Sequence, residues 1–232
     1  MFEGLFDKII DFNGEGFRNI PTIVVSEDLL DDLSPDPLDQ AYGEAAASDV
    51  KPGEDYTSPV ITRPFDYGIP LSDVSHESFA SRYSDGSKFG VWYGSLELLT
   101  SVYETVYHFQ RRVTDMLIEF AGEVVSERRV FRVGVRGILV DLRKKYRTFP
   151  KLLDKDDYTF THSVGVYLHD SGQRGILVES ARYRSGTNVA AFTPDILSNP
   201  RHDSYLIYRW VPGQTTVRIE KPRGRTWKTI SL

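Results

Sequence analysis

The chain contains no cysteine among its 232 residues. This absence excludes disulfide bonds and thiolate metal sites, and it suits a reducing compartment, so we expect a cytoplasmic protein. No apolar run approaches the ~18 residues that a membrane-spanning helix needs. The N-terminal segment MFEGLFDKIIDFNGEGF contains acids and lacks both a basic start and a small-residue cleavage site, so it does not predict a signal peptide. We therefore expect no membrane contact.

Several common catalytic templates are also missing. The chain has no GxGxxG fingerprint after a strand, no P-loop, no HExxH helix and no GxSxG nucleophile elbow. Glu104 and His108 lie four residues apart on one predicted helix, but no second carboxylate or histidine pair accompanies them. A salt bridge or a packed histidine explains such a pair better than a ligand set, so the sequence predicts no metal site.

The chain is well supplied with apolar residues, and its charge is unevenly distributed along the sequence. Hydrophobic residues make up 40% and aromatic residues 12%, enough for one sizeable core or two small ones. Residues 1–80 hold 17 acids and 4 bases, a net charge of −13, whereas the remainder has a net charge of +8. The acidic leader either folds back on its own domain or serves as a partner-binding arm. Alternatively, the basic body handles an anionic ligand such as a nucleotide.

The leader is predicted to contain little regular structure. Residues 21–25 form a candidate short strand, whereas the acidic run that follows is interrupted by three prolines and several glycines. Such a run cannot bury enough apolar surface to offset its ordering entropy, so we expect loops, short helices or a linker there. This pattern divides the chain into an irregular extension, 1–74, and a folded domain, 75–232.

The body combines helices with strands. We predict a strand over 88–94, an N-cap at Ser95 for an amphipathic helix over roughly 96–121, and two strands within 124–142 that turn near Gly137. A second helix is predicted over 157–170. The remaining strands are predicted over 174–182, 188–192, 204–211, 215–221 and 226–232, with a hairpin turn at VPGQ. Helices early and strands late indicate an α+β fold rather than a doubly wound parallel sheet.

Polar residues in apolar settings are the candidates for chemistry. Arg82 precedes the first predicted strand, Tyr93 lies at its end, Glu104 lies on the first long helix, and Ser180 follows an apolar strand. Each has an ordinary explanation by itself: a surface ion pair, a core side chain, the wet face of a helix and the end of a strand.

Taken in order, these residues resemble the RES domain family. The first half of the pattern is the Arg82-Tyr83 pair, the strand ending GVWYGS and the helix SLELLTSVYETVYH, with Tyr93 and Glu104 eleven residues apart. The second half is GQRGILVESARYRSGTNVAAFTPD, in which an apolar strand leads to a serine and a basic residue, and then to an asparagine and a phenylalanine. The resemblance covers roughly residues 75–195.

The resemblance implies a mixed-sheet core with flanking helices, akin to ADP-ribosyltransferase toxins. It also implies a toxin that cleaves the nicotinamide–ribose bond of NAD+, with phosphate, water or a protein side chain as acceptor. NAD+ would be a consumed substrate rather than a tightly bound cofactor, and inorganic phosphate a candidate co-substrate. The implied partner is an Xre-type antitoxin that blocks the active site. Such a pair forms a homo- or hetero-oligomer, and no direct nucleic-acid binding is expected of the toxin.

The resemblance also implies roles for individual residues. A carboxylate at Glu104 would stabilise the oxocarbenium charge that develops on the ribose. Arg82 would bind the pyrophosphate or the acceptor phosphate. The implied catalytic residues are Arg82, Tyr93 and Glu104, and the implied NAD-binding residues are Tyr83, Ser180, Arg182 and Asn188. Glu97, on the same helix as Glu104, is a rival acid that lies off the pattern.

Three alternatives stay open at this point. An ADP-ribosyltransferase would transfer the same ADP-ribose to a protein or nucleotide. A nucleic-acid-binding module would use the basic, aromatic segment 128–147, and its affinity would fall steeply with salt. A catalytically inactive interaction domain would use neither chemistry.

Overall fold

The computed structural model describes residues 2–22, 58–65, 80–116, 122–221 and 224–232. The regular elements in these parts of the chain are, in order, β1 (Ile9–Pro21), α1 (Pro59–Thr62), β2 (Trp92–Ser95), α2 (Leu98–Met116), β3 (Val124–Asp141), α3 (Thr159–Asp170), β4 (Gly175–Glu179), β5 (Thr187–Ala191), β6 (Leu197–Trp210), β7 (Thr216–Lys221) and β8 (Arg225–Ser231). A large mixed sheet with few helices confirms the predicted α+β class. None of the helices in these ranges is long and apolar enough to cross a membrane.

The strands form one sheet that partly closes on itself. Their order is β1-β2-β5-β4-β3-β6-β7-β8, and β1 pairs with β3 as well as with β2. The extra pairing joins β1, β2, β5, β4 and β3 into a closed ring, from which β6, β7 and β8 extend. The short β3–β4 ladder is parallel, and the other ladders between the described strands are antiparallel. Closure removes free edges from the ring, as in small barrels.

Strand β3 corrects the prediction of two strands turning near Gly137. It runs unbroken for 18 residues, and Gly137 pairs with Phe12 of β1 in the middle of the ladder. A Cβ atom at position 137 would lie 2.8 Å from a methyl group of Ile196. This glycine therefore permits close packing within a strand, which is a use that cannot be distinguished from a turn by sequence alone.

Strand β1 lies in the leader, where the sequence predicted little regular structure. It pairs with β3 at thirteen positions, from Ile9 opposite Val140 to Pro21 opposite Arg128. Glycine occupies two of the positions in β1 that face the inside of the closed ring of strands. The alternation of apolar and polar residues that identifies a strand in a sequence is therefore weak in β1. Of the candidate strand over 21–25, only Pro21 and Thr22 are described, and the acidic run after it lies outside the described residues.

Helix α2 begins at Leu98, two residues later than predicted. Ser95 is the last residue of β2 and not a helix N-cap, so that prediction was wrong, and 117–121 lie outside the described residues. The apolar face of α2 covers the β3–β6–β7–β8 part of the sheet. The side chains of this buried cluster include Val102, Val106, Phe109, Val113, Val130, Leu206, Tyr208, Val217, Ile219 and Ile230. Such burial contributes roughly 1.5–3 kcal/mol per large side chain.

The other predicted elements differ from the structure mainly at their ends. Helix α3 and strands β4, β5, β7 and β8 lie where they were predicted, within a few residues, whereas β2 starts later and β6 starts earlier than predicted. The β6–β7 hairpin is confirmed, with Gly213 at φ 88° in its turn. At one end of the ring, β2 meets β5 where Ser95 pairs with Asn188, and the backbone N–H of Leu96, just before α2, donates to the carbonyl of Thr187 at the start of β5. The candidate site residues converge there.

Candidate active site

Glu104 lies at the centre of a buried hydrogen-bond network. Its side chain, on α2, is 7% exposed. Its Oε1 atom accepts hydrogen bonds from Ser180 Oγ at 2.7 Å and from Asn188 Nδ2 at 2.6 Å. Oε2 makes no hydrogen bond to any side chain or backbone group in the described parts of the chain. One oxygen is therefore held by the protein, and the other is left to accept a bond from a ligand.

Asn188 orients this network from the middle of the sheet. Its Oδ1 atom accepts a hydrogen bond from Ser95 Oγ at 2.7 Å, and its Nδ2 atom also donates to the Tyr93 hydroxyl at 2.9 Å. Because Ser95 holds the oxygen end of the amide, the nitrogen end must face Glu104 and Tyr93. Ser95 was missed as a site residue. The available signal was its position two residues after Tyr93 in a strand, which places both side chains on one face.

Tyr93 offers a proton to the site. Burial raises the pKa of its phenol well above the ordinary value, and the charge of Glu104 raises it further. The phenol therefore stays protonated at neutral pH. Its oxygen already accepts from Asn188, so its own hydrogen is available to a ligand. The backbone carbonyl of Tyr93 accepts a 2.6 Å hydrogen bond from Arg18 of β1.

Ser180 is a positioning group rather than an activated nucleophile. Its hydroxyl donates to Glu104 and accepts backbone N–H bonds from Arg182 at 3.1 Å and Tyr183 at 2.9 Å. These bonds hold the turn that follows β4, in which Ser185 has a φ of 72°. The hydroxyl hydrogen points at Glu104, and no histidine among the described residues contacts the hydroxyl, so Ser180 lacks the histidine–acid pair that activates a nucleophilic serine. Ser180 thus positions Glu104 and the turn, and its predicted contact with NAD+ stays a prediction.

Arg82 is buried and held by backbone carbonyls. It is 6% exposed, and its Nη1 atom donates to the carbonyl oxygen of Asp154 at 2.6 Å and to that of Leu152 at 3.4 Å. Its guanidinium lies 4.5 Å from the ring centre of Tyr158. Burial alone would lower the pKa of Arg82, but its interactions with the nearby tyrosines and with the charge of Glu104 outweigh burial and raise the pKa above the ordinary value. Arg82 thus remains a cation.

Arg182 contacts the same loop and the same tyrosine. Its Nη2 atom donates to the carbonyl of Lys155 and to the Tyr158 hydroxyl, the latter at 3.1 Å. Its guanidinium stacks on the ring of Tyr107 at 3.3 Å. Neither Arg82 nor Arg182 forms a salt bridge within the described ranges. Two positive charges therefore lie near one aromatic ring, and no carboxylate of the described residues is in ion-pair contact with either.

Tyr83 is, like Asn188, completely buried. It has no exposed surface, and it packs in a core cluster with Phe89, Val164 and Leu168. Its hydroxyl has no hydrogen-bond partner in the parts of the chain that are described. Burial raises the pKa of this phenol, which the charge of Glu104 also raises. Tyr83 is thus a core residue whose hydroxyl lies near the Glu104 carboxylate and has no hydrogen-bond partner among the described residues.

The structure groups the seven predicted site residues as follows. Four of them, Tyr93, Glu104, Ser180 and Asn188, share one hydrogen-bond network; Arg82 and Arg182 meet at Tyr158; and Tyr83 lies buried beside Arg82. Glu97, the rival acid, accepts bonds from Thr100 and from the backbone of Thr187 instead, and does not join the network. Tyr107 and the loop 154–158 were also missed as site residues, because an acidic loop in a sequence resembles a solvated surface.

Arg128 is the first residue of the segment 128–147, which the nucleic-acid-binding alternative would use. This arginine is 2% exposed and donates to the side chain and the carbonyl of Asn19. It therefore belongs to the interior beneath α2 and is not part of a basic surface.

Comparisons with known proteins place this geometry in context. The family model described as RES domain matches residues 51–211. No curated protein sequence matches the chain. Among solved structures, the chain is similar to one in the crystal structure of the M. tuberculosis MbcT–MbcA toxin–antitoxin complex. The identity is 12% and the TM-score 0.48, and the match covers 88% of this chain and 87% of that one.

Proposed function

Because the chain belongs to the RES domain family, we propose that it cleaves the nicotinamide–ribose bond of NAD+ by phosphorolysis or hydrolysis. The observation that carries this proposal is the buried Glu104 carboxyl, with one oxygen held by Ser180 and Asn188 and the other unbonded by the described residues. A preorganised acid of this kind suits a reaction that develops positive charge on a sugar.

The proposed chemistry needs no covalent bond to the protein. The bond between ribose C1′ and the nicotinamide nitrogen breaks, and its electron pair leaves with nicotinamide. Positive charge then spreads over C1′ and the ring oxygen, where the negative charge of Glu104 stabilises it. An oxygen lone pair of phosphate or water bonds to C1′, and water releases a proton to solvent. The products are nicotinamide and either a phosphorylated ADP-ribose or ADP-ribose.

The remaining site residues would hold the rest of NAD+. The guanidinium groups of Arg82 and Arg182 suit the diphosphate, because neither is neutralised by an acid in the described ranges. The Tyr93 hydroxyl has a free hydrogen for the ribose or the nicotinamide amide. Asn188 and Ser180 would keep Glu104 in place as charge develops.

We also propose the biological setting that the family resemblance implies, a toxin neutralised by an Xre-type antitoxin that covers this site. The test is coexpression. A candidate antitoxin encoded beside this chain should copurify with it and suppress loss of NAD+ in the cell. Suppression without copurification would contradict direct blocking of the site.

The reaction is tested by following NAD+ with the purified chain by proton and phosphorus NMR, with and without inorganic phosphate. Loss of NAD+ that requires phosphate would identify a phosphorylase, and loss without phosphate a glycohydrolase. No loss in either condition, with a folded protein, would contradict the proposal and favour a transferase that needs a protein acceptor. Glu104→Gln should lower the rate of this loss by about 10²–10³, whereas Glu97→Gln, just before the start of α2, serves as the matched control.

A further inference from the structure

The loop 154–158, which we name the carbonyl loop, contacts both arginines of the site. Its Asp154 carbonyl accepts from Arg82, and its Lys155 carbonyl accepts from Arg182. Tyr158, at its end, places its ring against Arg82 and its hydroxyl against Arg182. We propose that Tyr158 and the carbonyl loop are positioning elements that aim the two arginines, as a pair, at a diphosphate. This inference rests on the proposed function and names its anionic subsite.

The type of acceptor supports this assignment. A carboxylate would hold an arginine equally well but would neutralise its charge, whereas a backbone carbonyl holds it and leaves the charge to a ligand. Each arginine also keeps a buried nitrogen without a partner in the described residues, Nη2 of Arg82 and Nε of Arg182. Buried donors of this kind are normally satisfied, so both arginines keep hydrogen-bonding capacity that their backbone partners do not use.

The carbonyl loop is itself fastened to both neighbouring helices. Asp154 Oδ1 accepts the backbone N–H groups of Asp156 at 3.0 Å and Asp157 at 2.9 Å, which closes the turn. The hydroxyl of Tyr107, on α2, donates to Asp156 at 2.8 Å. Asp157 in turn accepts the N–H of Thr159, at the start of α3. The carbonyls are thus held in a defined place relative to Glu104, which is also on α2.

The ring and the hydroxyl of Tyr158 contact different arginines, and two variants separate the two contacts. Tyr158→Phe removes the hydroxyl that contacts Arg182 and keeps the ring against Arg82. Tyr158→Leu removes both contacts. We expect a small loss of ligand affinity for the first variant and a larger loss, of about tenfold, for the second.

The experiment measures binding of two probes by calorimetry. ADP carries the diphosphate, and nicotinamide riboside carries only the other end of NAD+. Tyr158→Leu should weaken ADP binding about tenfold and leave nicotinamide riboside binding unchanged, and it should raise KM for NAD+ more than it lowers kcat. Equal weakening of both probes would indicate a general disturbance and overturn the inference. Unchanged ADP binding in Tyr158→Leu, or no ADP binding by the wild-type chain, would also overturn it.

Asp154 provides a second, independent pair of variants. Asp154→Ala removes the turn acceptor and should weaken ADP binding, whereas Asp154→Asn keeps an oxygen at that position and should restore it. Failure of Asn to rescue Ala would contradict positioning by the loop. Because ADP binding is measured without turnover, this experiment tests the positioning role of the loop independently of NAD+ cleavage. A chain that binds ADP through Tyr158 but does not consume NAD+ would overturn only the proposed function.

Discussion

The side-chain amide of Asn188 donates a 2.6 Å hydrogen bond to Oε1 of Glu104 and thereby joins strand β5 to helix α2. The two residues are 84 positions apart in the chain. The same amide nitrogen contacts the hydroxyl of Tyr93, so one side chain sets the positions of an acid and of a proton donor. This arrangement makes the site rigid before any ligand binds, which is what electrostatic stabilisation of a charged transition state requires.

Replacing Glu104 with Gln should lower the rate of NAD+ cleavage by about 10²–10³, the range seen when one preorganised electrostatic group is removed. The carbonyl oxygen of Gln can still accept from Ser180 and Asn188, so the fold should be kept. The measurement is kcat for NAD+ loss by NMR, with thermal unfolding as the folding control. Wild-type turnover in this variant would show that Glu104 is not the stabilising acid.

Replacing Ser95 with Ala should lower both stability and activity. The buried Oδ1 atom of Asn188 would lose its only hydrogen bond in the described residues, at a cost of about 1–2 kcal/mol. The amide would also be free to turn its oxygen toward Glu104, so NAD+ cleavage should fall several-fold. Denaturant unfolding and kcat measure the two effects. Ser87→Ala is the matched control and should change neither, because this serine is exposed and its hydroxyl donates to Asp85, outside the network.

Replacing Tyr93 with Phe should lower kcat/KM for NAD+ about fivefold to tenfold, because the ring stays and one hydrogen bond to the ligand is lost. Burial raises the pKa of Tyr93, so the phenol stays protonated above the pH at which a free tyrosine ionises. The wild-type pH profile should therefore show no decline from this group up to about pH 10. A decline near pH 10 that disappears in Tyr93→Phe would contradict this assignment.

Asp141 should make stability depend on acid pH. Its fully buried carboxylate accepts from Arg143 at 2.8 Å and from Lys8 at 2.6 Å. Burial alone would raise its pKa, but these hydrogen bonds outweigh burial and hold the pKa well below its ordinary value. As pH falls below about 4, the unfolded chain binds a proton that the folded chain does not, so stability decreases.

The variant Asp141→Asn tests this linkage. It should lower the free energy of unfolding by about 2 kcal/mol at neutral pH, because the buried group loses its charge-assisted hydrogen bonds from Arg143 and Lys8. The difference from wild type should shrink as the pH falls from about 4, where the wild type loses the same stabilisation. Denaturant unfolding at several pH values measures this. A difference that stays constant down to pH 2 would exclude Asp141 as the source.

Much of the architecture was accessible from the sequence because its signals are local. The periodic apolar residues of α2 and the β-branched strands around β5 and β7 were recognisable without any knowledge of the fold. The predictions for β1 and β3 failed because glycines in these strands obscured the local pattern of strand residues. Gly137 was interpreted as a turn although it lies within β3, and the glycines of β1 weakened the alternation that would have identified that strand.

For the site, the sequence by itself determined the order and spacing of Arg82, Tyr93, Glu104 and Ser180, and this order identified the family. Only the tertiary structure decided which groups touch. The bond from Ser95 to Asn188 and the contact of both arginines with Tyr158 join residues that are distant along the chain. Such contacts produce no periodic pattern in the sequence, because they form where the ends of separate strands, a helix and a loop converge in space.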